Sequence, residues 1–276
     1  MNPHASHPAS LPAMARSLWH NRRLITQMTR REVVGRYRGS ALGLAWSFFN
    51  PLLMLAAYTF VFSVVFKARW GVSTEESRAQ FAVILFVGMI VHGLFAEVIN
   101  RAPTLIISNS NYVKKVVFPL EILPAVSLGT ALFHCAASLA VLIIAAAILT
   151  DPPSWTTALI PLVLLPLAVF SLGLGWLLAA LGVYLRDVGH AVGIVSSLML
   201  FLSPVFFPVS ALPEAYRPLL LANPLTFIIE QARAVLIFGL PPDWAGLGLY
   251  SLAALAVAWF GYASFQKTRK GFADVL

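Results

Sequence analysis

Residues 29–55 read TRREVVGRYRGSALGLAWSFFNPLLML, and the change of character at Arg38 decides what kind of molecule this is. Before it lie Arg30, Arg31, Arg36 and Arg38 against a single acid, Glu32; after it begins the first long apolar run, 42–66. At about 1.5 Å of rise per residue such a run crosses the roughly 30 Å of hydrocarbon in a bilayer. A basic flank leading into an apolar span is the arrangement that anchors a chain with its arginines on the cytoplasmic side.

The rest of the chain continues the pattern. Of 276 residues, 59% are hydrophobic and 11% charged, which excludes an ordinary soluble domain, about a quarter of whose residues are charged. The mean hydropathy of +0.82 also excludes a disordered chain. Five further apolar spans follow the first, at 80–100, 120–149, 157–183, 188–207 and 244–265. The expected fold is therefore an all-α polytopic membrane protein with six transmembrane helices in a domain over 41–266. Asn50-Pro51, Pro161, Pro166, Ser203-Pro204 and Pro208 mark kinks or ends, since proline removes a helix donor.

Charge sets the orientation. Seven of the 19 Lys and Arg residues fall between Arg16 and Arg38. With the N-terminus inside, fourteen basic residues are cytoplasmic and five are outside, which the positive-inside rule accepts with both termini cytoplasmic. Residues 1–13, Pro/His-rich and polar, read as a flexible N-terminus rather than a cleavable signal. From 14 to about 40 an amphipathic helix is expected to lie in the membrane interface: Met14, Leu18, Ile25 and Met28 share one stripe and the arginines lie elsewhere. A plain topogenic flank is the alternative reading.

Two connections are more than turns. Residues 101–119, RAPTLIISNSNYVKKVVFP, form a cytoplasmic stretch with a helix-length apolar piece, and 208–243 is a proline-rich outer segment whose apolar part, Leu225 to Phe238, is too short to span. The latter is expected to be a re-entrant hairpin of short helices. Residues 267–276 form a cytoplasmic tail.

Chemistry is sparse. GYASFQKT at 261–268 approaches a phosphate-binding loop but has Gln266 where glycine is required and reads as a coincidence; if the protein uses ATP, another chain must bind it. The eleven acids are scattered singly except for Glu75-Glu76, and no residue merits a catalytic role. His92 and His134 lie in spans without acidic neighbours and are expected to be hydrogen-bonded within the bundle. Glu97 and Arg101, four apart with the acid first, are expected to pair along their own helix, as are Glu230 and Arg233 three apart. Cys135, the single cysteine, forbids an intrachain disulfide, argues against a thiolate metal site and reads as a packing residue; no metal site is expected.

The stretch 29–55, together with FPLEILP at 118–124 and NPLTFIIEQAR at 223–233, resembles the membrane subunit of ABC-2 type polysaccharide exporters, the permeases for O antigen and teichoic acid. The resemblance runs over nearly the whole chain and rests most on R-Y-R-x-S/T-x-L-G-x-x-W followed by proline. It implies a homodimeric permease in the bacterial inner membrane. It also implies a separate cytoplasmic ATPase dimer that holds ATP and Mg, no cofactor on this chain, no nucleic acid, and an undecaprenyl-pyrophosphate-linked glycan as cargo. On this basis Arg30, Arg31, Arg36 and Arg38 meet the lipid pyrophosphate, which the guanidinium fork suits. The segment 101–119, with Glu97, Arg101, Thr104, Leu105, Ile106, Asn109 and Tyr112, couples to the ATPase. Tyr58, Phe62, Phe66, Trp176 and Tyr184 are candidates to line the glycan path. Other readings keep the ABC-2 class with a drug or small lipid as cargo, or make the chain a membrane enzyme acting on polyprenyl sugars. An ion channel or secondary transporter would show charges deep in the spans or repeat symmetry, and neither is seen.

Overall fold

A computed structural model describes residues 8–61, 78–114, 118–149 and 152–276, and every element in it is helical. Among the described residues, five helical segments are long and apolar enough to cross a membrane: Gly43–Val61, Gln80–Ser108, Ile122–Leu149, Trp155–Tyr184 and Trp244–Val275. Their principal helices are α3 (Trp46–Tyr58), α4 (Arg78–Arg101), α7 (Ile122–Leu149), α8 (Ile160–Tyr184) and α12 (Trp244–Thr268). The last five residues of the first expected span, 62–66, lie outside the described residues.

The fifth expected span, 188–207, is corrected. Its helix, α9, covers only Val188–Phe201, and its 14 residues rise about 21 Å, short of the hydrocarbon thickness. The backbone continues irregularly, with Ser203 and Val205 fully buried. Irregular backbone at membrane depth survives where protein groups take up its carbonyls. Two residues of the hairpin do so. Asn223 Nδ2 donates to the Leu202 carbonyl and to Ser203 Oγ, both at 3.0 Å, while Arg233 Nη2 donates to the Val205 carbonyl at 3.2 Å.

The hairpin itself consists of α10 (Arg217–Leu221) and α11 (Pro224–Leu236), and the chain bends by 92° between the helices. Asn223 also caps α11 by accepting from the Leu225 amide at 2.9 Å, and Pro224 supplies the fixed φ of a first helical position. Arg233 has no exposed surface, pairs with Glu230 at 2.9 Å as expected, and donates to the Ile84 carbonyl of α4 at 3.2 Å. Gly88 gives it room, since a Cβ there would stand 3.1 Å from Arg233 Nη2 and from Val205 Cα.

At the core, α8 and α12 pack with their backbones in contact. A Cβ on Gly261 would overlap the Gly173 carbonyl, and one on Gly173 would come within 2.6 Å of Ala258 Cα. Lipid offers no hydrophobic drive for helices to associate, so close van der Waals approach through small residues is what joins them.

The expected single amphipathic helix is two. α1 (Leu11–His20) and α2 (Arg22–Tyr37) are separated at Asn21, whose side chain donates to the Ser17 carbonyl at 2.9 Å. α1 starts three residues before the expected boundary, capped by Ser10. The apolar stripe packs on the bundle, with Met14 buried and Leu18 and Met28 against the core, so the chain's own helices cover most of the face expected to meet lipid. Trp19 and Val34 stay exposed.

Gly261→Leu should destabilise the detergent-solubilised protein by about 1–3 kcal/mol or more through overpacking, whereas Gly248→Ala, which meets open space, should leave the melting profile in place. Arg233→Met strands carbonyls of α4 and the irregular segment and should cost about 3 kcal/mol. Arg233→Lys should not restore it, because one ammonium cannot reproduce the guanidinium fork; thermal-shift curves check both.

Candidate functional site

The arginine-rich helix α2 lies antiparallel to the end of α4, and two ion pairs lace them together. Arg36 Nη1 meets Glu97 Oε1 at 2.7 Å, and one turn earlier on α2 Glu32 pairs with Arg101. This corrects the expected Glu97–Arg101 pair: each residue takes its partner from α2 instead of from its own helix. His134, on α7, completes the group. Its Nδ1 lies 2.9 Å from both Glu97 carboxylate oxygens, and its Nε2 is 3.2 Å from the Tyr37 hydroxyl. With the Nδ1 proton directed at the carboxylate, Nε2 accepts from Tyr37, an assignment that follows from the partners. Burial, and secondarily the Glu97 charge, push the Tyr37 phenol above its usual range against the opposing effect of Arg36, which keeps it a donor. His134 thus has the acidic partner that its own helix lacks. His92 is held as expected, its Nε2 3.0 Å from the Ser196 carbonyl.

Of the four arginines assigned to a lipid headgroup, Arg36 is committed to Glu97. Arg30, Arg31 and Arg38 are exposed and make no ion pair among the described residues. Arg31 stands with Glu32, Arg101, Thr104, Asn109 and Tyr112 around a polar cleft of about 400 Å³.

The segment after α4 is a tight 3-10 turn, Ala102–Thr104, followed by α5 (Leu105–Ser108) and α6 (Ser110–Lys114). The turn is seated directly on α8, where a Cβ on Gly182 would overlap the Pro103 carbonyl. Leu105 and Ile106, expected to face a partner, are buried. Among the described side chains of this segment, the exposed ones are Thr104, Ile107, Ser108 and Asn111. Asn109 caps α5 by donating to the Leu105 carbonyl at 2.8 Å, and Tyr112 stacks on Phe118 with ring centroids 4.4 Å apart.

A second polar knot, not expected from the sequence, lies at the same end. Glu121 pairs with Arg269 at 2.7 Å and accepts from Ser17 at 2.9 Å, while its carbonyl accepts from Trp176 Nε1 at 2.8 Å. The tail is fixed with it: α13 (Phe272–Val275) follows, with Phe272 fully buried. The clue in the sequence is an acid inside FPLEILP with no basic residue within helical reach.

The aromatic candidates scatter. Trp176 has no exposed surface and is a packing residue between Glu121 and Tyr262. Tyr184 is exposed at the end of α8 and donates to the Thr268 carbonyl at 2.7 Å. Tyr58 lines a cavity of about 250 Å³ with Met54, Phe86 and Met89. Phe62 and Phe66 lie outside the described residues. Residues 261–268 are helical, so the amides of the near-miss phosphate loop are used within α12. Cys135 is buried.

The chain is 29% identical over 263 residues to the O-antigen export system permease protein RfbA of Myxococcus xanthus, covering 95% of this chain and 98% of the relative. It is 24% identical over 255 residues to the Klebsiella pneumoniae protein of the same name, covering 92% and 95%. With the polysialic acid transport protein KpsM of Escherichia coli the identity is 23% over 241 residues, covering 86% and 90%. Residues 23–237 match the family model of the ABC-2 type transporter, which takes in the arginine-rich helix, the ion-paired junction and the bent pair α10–α11, and the chain belongs to that family.

Proposed function

We propose that this chain is the permease subunit of an ABC transporter that exports a lipid-linked surface polysaccharide across the bacterial inner membrane, with both termini cytoplasmic. The observation that carries the reading is the cationic helix α2, laced to α4 by two ion pairs and still presenting Arg30, Arg31 and Arg38 with no acidic partner among the described residues. Such a row at a membrane surface attracts anionic headgroups at about 1 kcal/mol per residue, and arginine binds phosphate bidentately. A lipid pyrophosphate suits it better than an uncharged drug would. The export names of the full-length relatives support the same cargo class.

Energy comes from a separate cytoplasmic ATPase pair that binds ATP and Mg. Its contact is the turn-helix segment after α4, through Thr104, Ile107, Ser108 and Asn111 rather than through the buried Leu105 and Ile106. Because this segment sits on α8 and continues α4, a push on it is transmitted to both helices, and through the ion pairs to α2. A second copy of the chain is the further partner in this reading, with the glycan path between the two copies.

Deleting the gene in its host should remove the surface polysaccharide and accumulate undecaprenyl-linked polymer inside, as read by labelling both pools; unchanged surface glycan in a strain without a second exporter would exclude the reading. In a complementing copy at normal protein level, Arg30, Arg31 and Arg38 changed together to Ala should lower export. For the junction, Arg36→Glu or Glu97→Arg alone should cost about 1–3 kcal/mol of stability and reduce export. The two combined should recover much of both, because the pair is re-formed with reversed sign.

A further inference from the structure

Above the Arg36–Glu97–His134 cluster the protein opens into two cavities of about 430 and 250 Å³ that share Asn50, Pro51, Glu97, His134 and Ser138 as lining. Together they form one cleft among α2, α3, α4 and α7, within the roughly 300–1,000 Å³ of small-molecule sites. The polar end is walled by Arg36, Tyr37 and Trp46, and the far end by Met54, Tyr58 and Phe86.

The charge on this wall is balanced. Arg36, its one full cation, is 2.7 Å from Glu97, so the cleft offers hydrogen-bond donors and acceptors with little net attraction for an anion. Two further polar side chains face it without a hydrogen-bond partner among the described residues: the Asn50 amide, on the α3 turn that Pro51 interrupts, and the Ser138 hydroxyl of α7. Polar groups in a membrane-spanning segment mark a substrate path, because hydrocarbon gives them nothing to bond. At the entrance Trp46 and Tyr37 present aromatic rings, whose negative faces attract polarised C–H edges.

We infer that this cleft is a binding subsite for an uncharged, hydroxyl-rich sugar unit of the lipid-linked substrate, with Asn50, Ser138 and the Glu97–His134 pair bonding its hydroxyls. The inference rests on the glycan-export reading above. It divides recognition in two: the unpaired arginines of α2 take the phosphate, and the neutral cleft takes the sugar attached to it.

The test uses the full chain in nanodiscs and two probes, undecaprenyl pyrophosphate and the same lipid carrying a neutral hexose disaccharide, with affinities read by radioligand saturation. The wild-type protein is expected to bind the sugar-bearing lipid more tightly. Asn50→Ala and Ser138→Ala, which break no side-chain hydrogen bond among the described residues, should each weaken that lipid about fivefold, the worth of one hydrogen bond, and leave the bare lipid unchanged. Equal affinity of the wild type for the two lipids overturns the inference, as does a loss that is the same for both lipids. A wild-type preference for the sugar-bearing lipid that both variants retain removes the cleft assignment but keeps the export reading; failure of the wild type to retain either lipid removes the export reading itself.

Discussion

A charge or a backbone carbonyl inside or at the edge of a bilayer needs a protein partner, because hydrocarbon supplies none, and this constraint organises the molecule. At the end that carries the described termini it brings Glu97, Arg101, Glu32, Arg36 and His134 into one junction and Glu121, Arg269 and Ser17 into another. At the opposite end it draws Arg233 and Asn223 to the carbonyls left open where α9 stops. Between them the helices are joined by apolar packing and by the backbone contact of α8 with α12 at Gly173 and Gly261.

The three sequence stretches most characteristic of the chain each turn out to hold one of these knots. In 29–55, Arg36 and Tyr37 reach α4 and α7. In FPLEILP, Glu121 and the Phe118 carbonyl hold the tail through Arg269. In NPLTFIIEQAR, Asn223 and Arg233 serve the irregular segment, and Gln231 accepts from the Asp243 amide at 2.8 Å, fixing the start of α12. Residues that look like substrate contacts in a linear reading are therefore partly structural, and Arg36 is the clearest case. Its guanidinium pairs with Glu97 of α4 while about half of the side chain stays exposed.

The same knots make a mechanical path. The turn after α4 rests on α8, α8 is locked to α12 through backbone contact at Gly173 and Gly261, and α4 receives Arg233 from the hairpin. A displacement at the turn therefore has a continuous route to the re-entrant hairpin at the far end, with no intervening mobile linker required.

The sequence by itself determined the class, the apolar runs and a break into short helices before the last span, because these depend on local quantities: run length and proline position. It also determined that α11 would be short, since the apolar part from Leu225 to Phe238 cannot span. Only the tertiary structure decided the partners. Spacing placed Glu97 and Arg101 on one helical face and offered them each other, but α2 folds back antiparallel and offers both a cross-helix partner. Trp176 could not be told from a path residue, because α8 is apolar on every side and its periodicity marks no buried face. The shortness of α9 was equally hidden, since the apolar run continues past Phe201 while the helix does not. Which side chains can rescue that backbone depends on a hairpin twenty residues downstream, a relation that exists only once the chain has folded.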